Sequence, residues 1–170
     1  ERRPIMKKIA ILTVSDSRTL DSDTSGKLIA MKMANAGLSV VDRVIVNDDI
    51  VNIQTAYLQL EQQALDIIIT NGGTGIAQRD VTIPAIRPLL KRLIPGFGEA
   101  FRQISFDEIG TRALASQALA GFNFRNQLTY CLPGSHNACQ TALNKLILPE
   151  YEHLLFESSS QRKEVHHHAH

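Results

Sequence analysis

Ile67-Ile68-Ile69-Thr70-Asn71-Gly72-Gly73-Thr74-Gly75-Ile76-Ala77-Gln78-Arg79-Asp80-Val81-Thr82 is the stretch whose reading decides the fold. Its start is apolar and β-branched. Runs of this kind suit a strand buried on both faces, as parallel strands are. Three glycines and a threonine follow at once. A glycine turn lets backbone N–H groups converge, and no Cβ keeps a ligand away. Thr82 is a candidate helix N-cap, and Pro84 suits a first helical turn. The order is strand, loop, helix. In open α/β sheets ligands sit at such junctions, at the carboxyl ends of strands. Taken alone, the loop reads equally as a phosphate cradle or as a structural turn.

Outward from this stretch the pattern repeats. Lys8 to Val14 reads as another buried strand and ends in polar Ser15-Asp16-Ser17-Arg18. Asp21-Ser22-Asp23-Thr24-Ser25-Gly26 then precedes an apolar-periodic helix from Leu28 to Ala36. Thr24 or Ser25 is expected to cap it and Gly37 to end it. Ser39 to Val46 is an edge strand, because Asp42 and Arg43 interrupt it. Asn47-Asp48-Asp49 opens a helix to about Ala64, and acidic residues there complement its dipole.

Beyond the glycine loop, Val81 to Leu93 reads as one helix, and Phe97 to Ile109 as another that Gly110 ends. Thr111 is expected to cap a short helix through Gln117. Ala118 to Phe124 and Gln127 to Leu132 read as strands. Leu132-Pro133-Gly134-Ser135 leads into a helix from Ala138 to Leu148. Cys131 and Cys139 read as small core residues. The whole predicts one three-layer α/β/α domain over 5–156 with a mostly parallel central sheet, followed by a disordered polar tail over 157–170. The tail histidines, His166 to His168 and His170, are set aside from the site.

Composition narrows the function. The chain has 170 residues, 44% hydrophobic and 21% charged, as a globular domain does. A formal net charge of +1 with scattered Lys and Arg speaks against nucleic acid as partner. No apolar run approaches the roughly 20 residues that span a bilayer, so no membrane partner is expected. Two cysteines make no disulfide framework, and a reducing cytoplasm is the expected compartment.

The loops carry no CxxC, no Walker Gly-Lys-Ser/Thr and no G-x-G-x-x-G. No histidine is placed to serve Ser15, Ser25 or Ser135 as a base. Backbone donors, hydroxyls, Arg79 and several aspartates remain. That set suits Mg²⁺-assisted phosphate chemistry.

At this point the ordered set resembles the MoaB/Mog family of molybdenum cofactor biosynthesis proteins, closest to MoaB. It comprises Ser15-Asp16-Ser17-Arg18, Asp23-Thr24-Ser25-Gly26, Asn71 to Gly75 with Arg79-Asp80-Val81-Thr82, Pro95-Gly96-Phe97-Gly98-Glu99 and Leu132-Pro133-Gly134-Ser135. The resemblance spans residues 7–155. It implies a molybdopterin-binding-like fold, assembly as a trimer or dimer of trimers, and contact with other enzymes of the pathway. It also implies Mg²⁺-dependent adenylyl transfer from ATP to the terminal phosphate of molybdopterin. The alternative is a pathway protein that binds or carries molybdopterin without turnover. Carried residue by residue, Asp80 and Asp48 would be catalytic and hold Mg²⁺, with Asp49 the alternative to Asp48. Gly72, Gly73, Thr74 and Gly75 would cradle nucleotide phosphates. Ser15, Thr24, Ser25, Pro133, Gly134 and Ser135 would line the pterin side, and Arg79 would neutralise charge.

Overall fold

The computed structural model describes residues 5–159. Six strands form one sheet: β1 (Lys8–Val14), β2 (Ser39–Val46), β3 (Ile67–Asn71), β4 (Leu90–Leu93), β5 (Leu119–Asn123) and β6 (Leu128–Leu132). Their spatial order is β2-β1-β3-β6-β5-β4. The pairs β1/β2, β1/β3 and β3/β6 are parallel, and β5 alone runs against both its neighbours. The mostly parallel sheet is thus present, with β2 at one edge as expected.

Alternation along the central strands builds the layers. Ile9 and Ile11 of β1 and Ile67 and Ile69 of β3 face one way. There they pack with α1 (Thr24–Asn35), α4 (Pro95–Ile109), α5 (His136–Ala142) and α6 (Leu148–Ser158). Ala10, Leu12, Val14 and Ile68 face the other way, onto α2 (Ile50–Glu61) and α3 (Thr82–Ile86). Ile67, Ile68 and Ile69 are all wholly buried. Burial of each stabilises by roughly 1.5–3 kcal/mol before entropy is counted. Because β1 connects outward to β2 and then back across to β3, a crevice opens between the carboxyl ends of β1 and β3.

Several local expectations are corrected. Residues 81–93 are not one helix. α3 ends at Ile86, a 3₁₀ turn spans Arg87–Leu89, and β4 pairs with β5 at the sheet edge. Pro88 cannot donate to the carbonyl four residues back, so the helix stops there. Thr82 caps nothing; it starts α3, and its hydroxyl donates to Gly72 O at 2.8 Å. Thr24 and Ser25 are already helical, and the cap of α1 is Asp23, which accepts from Gly26 N–H. The segment after α4 is a 3₁₀ helix over Gly110–Ala115 rather than a helix through Gln117. α5 begins at His136 and passes through a π-helical turn, Leu143–Ile147, into α6. Pro149 lacks the N–H that an unbroken α-helix would use there. α6 reaches Ser158, beyond the expected end of the domain, and residues 160–170 of the expected tail lie outside the described residues.

Gly37 ends α1 as expected. Its φ is +93°, its N–H donates to Ala34 O at 3.0 Å, and Leu38 N–H donates to Met33 O at 3.0 Å. This is a Schellman closure, which favours a residue free of Cβ strain. A Cβ at Gly37 would meet no atom within 4 Å, so only backbone strain opposes a side chain. Gly37→Ala is therefore expected to cost about 1–2 kcal/mol and lower the urea midpoint with an unchanged slope. An unmoved midpoint would show that the left-handed geometry is not what glycine supplies here.

Candidate functional site at the strand ends

Three loops leave the carboxyl ends of β1, β3 and β6 and meet. Each is shaped by local hydrogen bonds. After β1, Ser15 N–H donates to Val46 O at 2.8 Å, while Ser15 Oγ accepts from Ser17 N–H at 3.2 Å and Arg18 N–H at 3.1 Å. The hydroxyl thereby folds the loop back on itself. Asp16 Oδ1 accepts from Asp48 N–H at 2.9 Å and ties this loop to the entry of α2. The two neighbouring aspartates then divide. Asp49 is the N-cap of α2 and accepts from Asn52 N–H at 2.9 Å. Asp48, one residue earlier, is left with its carboxylate at the crevice.

After β3, Gly72 and Gly73 adopt φ of +102° and +68°. A Cβ at Gly72 would strike the Val14 carbonyl, and one at Gly73 would strike Thr82 Oγ1 and lie 3.3 Å from Asp48 Oδ1. Thr82 stitches the loop shut. Its N–H donates to Gly73 O at 3.0 Å, beside its hydroxyl bond to Gly72 O. Farther on, Asp80 closes its own turn. Asp80 N–H donates to Ala77 O at 2.9 Å, and Asp80 Oδ2 accepts from Ala77 N–H at 3.0 Å. A Cβ at Gly75 would lie 2.6 Å from Asp80 Oδ2. The two carboxylates therefore flank the glycine loop, Asp48 at Gly73 and Asp80 at Gly75.

After β6, Gly134 comes so close that a Cβ on it would lie 3.3 Å from Gly72 Cα. Gly134 O accepts from Ser25 Oγ at 2.8 Å and from Arg18 Nη1 at 3.1 Å. Ser135 caps α5, accepting from Ala138 N–H at 3.2 Å. Burial pushes the Cys139 thiol up to about 12, so it stays protonated and donates to Pro133 O at 3.1 Å.

These loops enclose a polar cleft of about 490 Å³. Ser15, Asp48, Gly72 to Gly75, Arg79, Asp80, Pro133 and Gly134 all border it. Thr24, Ser25 and Ser135 do not. Thr24 is exposed on α1, Ser25 is buried beneath Gly134, and Ser135 is engaged as a cap. Sequence reasoning passed over Asp16, Ser17 and Arg18 as site residues, although they lie in the quoted polar run after β1. It also missed the strip Ala115 to Gln117, which forms a further wall. No local pattern marks that strip. It is set by α4, whose Arg102 Nε donates to Ser116 O at 3.3 Å and whose Gly98 approaches the Ala118 carbonyl.

Charge is unevenly spread. Asp16, Asp80 and Arg79 all border the cleft close enough to act on Asp48. Partial burial, and then the Asp16 and Asp80 carboxylates, hold the Asp48 carboxyl above the ordinary carboxylate range, opposed by Arg79. Such a group favours a cation. Among the described residues no three His, Cys, Asp or Glu side chains form a metal cage by themselves. Mg²⁺ asks for less: one or two carboxylates, completed by waters and substrate phosphates. Asp48 and Asp80 fit that donor set.

The comparisons with known proteins agree with this architecture. A family model described as "Probable molybdopterin binding domain" matches residues 10–153. Molybdenum cofactor biosynthesis protein B of Staphylococcus aureus (strain COL) is 47% identical over 153 residues, 88% of this chain and 90% of that protein. Its counterpart in Bacillus anthracis is 42% identical over 163 residues, 95% of this chain and 96% of that one. A crystal structure of a molybdenum cofactor biosynthesis protein B superposes with a TM-score of 0.87 at 44% identity, covering 92% of this chain and 98% of the other. The tungsten cofactor synthesizing protein MoaB of Pyrococcus furiosus superposes with a TM-score of 0.83 at 34% identity, covering 92% and 99%. The matched residues span all three loops of the cleft, and this chain belongs to the MoaB/Mog family of molybdopterin-binding domain proteins.

Proposed function

We propose that this chain acts in molybdenum cofactor biosynthesis by transferring the adenylyl group of ATP to the terminal phosphate of molybdopterin. The observation that carries the reading is the pair of carboxylates, Asp48 and Asp80, on either side of a glycine loop that admits no Cβ. Names of relatives support the pathway; the reaction is what the family resemblance of the motifs implies, and the carboxylate pair at the glycine loop supports it.

In the proposed reaction an oxygen of the pterin phosphate attacks the α-phosphorus of ATP. A new P–O–P linkage forms and the bond from the α-phosphorus to the β-phosphate oxygen breaks, releasing pyrophosphate. The attacking phosphate has a second pKa of about 6 and is largely ionised at neutral pH. No protein base is required, which suits a cleft that no histidine among the described residues borders. The work left to the protein is alignment and charge neutralisation. Backbone N–H groups of Gly73 to Gly75 would receive nucleotide phosphates, while Gly72, whose N–H donates to Leu132 O at 2.9 Å, would shape the turn. Ser15, Pro133 and Gly134 would face the pterin, with Ser25 holding the Gly134 carbonyl from below. Asp48 and Asp80 would hold Mg²⁺, which supplies charge stabilisation to the phosphates. Arg79, exposed at the rim, would add positive charge. A trimer or dimer of trimers belongs to the same proposal. It would cover apolar Phe106, Ile109 and Leu114, now exposed on and after α4.

Three outcomes test this reading. Purified protein with molybdopterin, ATP and Mg²⁺ is expected to form adenylyl-molybdopterin. Asp80→Asn should cut turnover by about 10²–10³ while pterin binding persists. Pterin binding without product in the parent would leave a carrier instead. Gly73→Val should abolish ATP binding by driving a side chain into Thr82, and normal ATP affinity in a folded variant would sink the phosphate-cradle assignment. The third outcome concerns cost. A carboxyl whose folded pKa lies above its unfolded value penalises the fold once pH exceeds both. That penalty fades as pH falls through the raised folded value and is gone below the ordinary aspartate pKa of about 3.9. Asp48→Asn is therefore expected to be at least as stable as the parent in urea at neutral pH without metal, with the difference closing in acid. A clear loss of stability at neutral pH would contradict it.

A further inference from the structure

Where the loops after β1 and β6 meet, the cleft border carries more positive charge than its own structure uses. Asp23 is fully buried beneath it. The Thr13 hydroxyl lies 2.5 Å from Asp23 Oδ2, Arg43 Nη2 donates to the same oxygen at 3.3 Å, and Gly26 N–H donates to Oδ1 at 2.9 Å. Those contacts already satisfy and neutralise one carboxylate. A second guanidinium nevertheless stands beside it: Arg18 Nη1 lies 3.8 Å from Asp23 Oδ1. Two guanidinium groups on one carboxylate leave a surplus positive charge.

Donors are in surplus as well. Among the described residues the Arg18 side chain has one protein hydrogen bond, from Nη1 to Gly134 O. Arg43 Nε is buried with no acceptor among the described residues. Asn71 joins the same network, since its Oδ1 lies 2.8 Å from the Thr13 hydroxyl. Arg18 itself borders the cleft with its side chain 34% exposed.

The geometry points to Arg18 as the residue that binds the terminal phosphate monoester of the acceptor, with Asp23 and Gly134 as its positioning groups. This inference rests on the adenylyl-transfer reading for the identity of the acceptor. A guanidinium is a planar fork of five N–H donors that matches phosphate oxygens in pairs. Asp23 and Gly134 O anchor one corner of the fork, so less freedom is lost when a ligand takes the others. A cation at this place also favours the phosphate dianion over the monoanion, which keeps the attacking oxygen unprotonated. Asp16, Asp48 and Asp80 repel a bare anion. The cleft thus orients its substrates: the acceptor phosphate goes to Arg18, and the metal-bridged nucleotide goes to Asp48 and Asp80.

Binding tests this without turnover. Molybdopterin, and the same pterin with its phosphate removed, are titrated by fluorescence into parent, Arg18→Lys and Arg18→Gln protein in the absence of ATP. Arg18→Gln is expected to weaken molybdopterin roughly tenfold or more, and Arg18→Lys less, because a charge-assisted contact is lost or reduced to a point charge. The dephosphorylated pterin should bind all three alike. Inorganic phosphate should displace molybdopterin from the parent. Equal weakening of both pterins in Arg18→Gln would assign Arg18 to loop structure and overturn the proposal, as would unchanged molybdopterin affinity. A parent that shows these binding differences but makes no adenylyl-molybdopterin would remove the enzyme reading and leave the phosphate site standing.

Discussion

The site depends on three backbones approaching where no Cβ can fit. Gly72 lies against the Val14 carbonyl at the end of β1 and against Gly134 beyond β6. Two neighbouring parallel pairings, β1 with β3 and β3 with β6, deliver those ends to one level of the sheet. Adjacent strands lie about 4.8 Å apart, so loops leaving three consecutive strands collide unless they turn at once. Gly72 and Gly73 make that turn with positive φ, and Thr82 locks it through both its hydroxyl and its N–H. The cleft is the space left when the loops turn away. The walls built from these three loops therefore follow from the sheet's register.

Within that frame, aspartates do four different jobs, and their backbone settings decide which. Asp23 is buried, caps α1 and is matched by guanidinium groups. Asp49 caps α2, and Asp16 receives the N–H of Asp48. Asp48 and Asp80 keep carboxylate oxygens at the glycine loop. Asp48 carries a cost, through partial burial and two like-charged neighbours. Charge strained in this way and left beside an open cleft marks a functional position more often than a structural one.

Much of this was legible in the chain, and the failures have physical causes. β1, β3 and β6 stood out because central parallel strands are apolar on both faces, and the glycine run declared a loop. β4 was invisible. Leu90-Lys91-Arg92-Leu93 has the composition of a helix end, and three of its four residues are exposed. Only pairing with β5 makes it a strand, and that is tertiary context. Thr82 looked like a cap because Thr before an apolar run usually is one; its real partner, Gly72 O, lies ten residues back across the loop. Thr24 and Ser25 lost the cap of α1 to Asp23, a residue that pattern reading treated as turn polarity. Ser116 and Gln117 had no local signal at all.

Arg18 shows why motif reading and geometry differ in kind. In sequence it is one more polar residue in a turn. In the fold it lies 3.8 Å from a carboxylate that Arg43 already neutralises, and it touches the carbonyl of a residue 116 positions away. Desolvating a surplus cation is costly unless something repays it. Here the cost is limited because Arg18 keeps about a third of its side chain at the cleft, where an anion can meet it. The group around Asp48 has the reverse imbalance, three carboxylates against Arg79. A cleft with both imbalances is suited to two anionic substrates of which one travels with a cation. In the proposed reaction it would order them before any bond is made or broken, and such ordering is the larger part of what a phosphate-transfer site without a protein base has to supply.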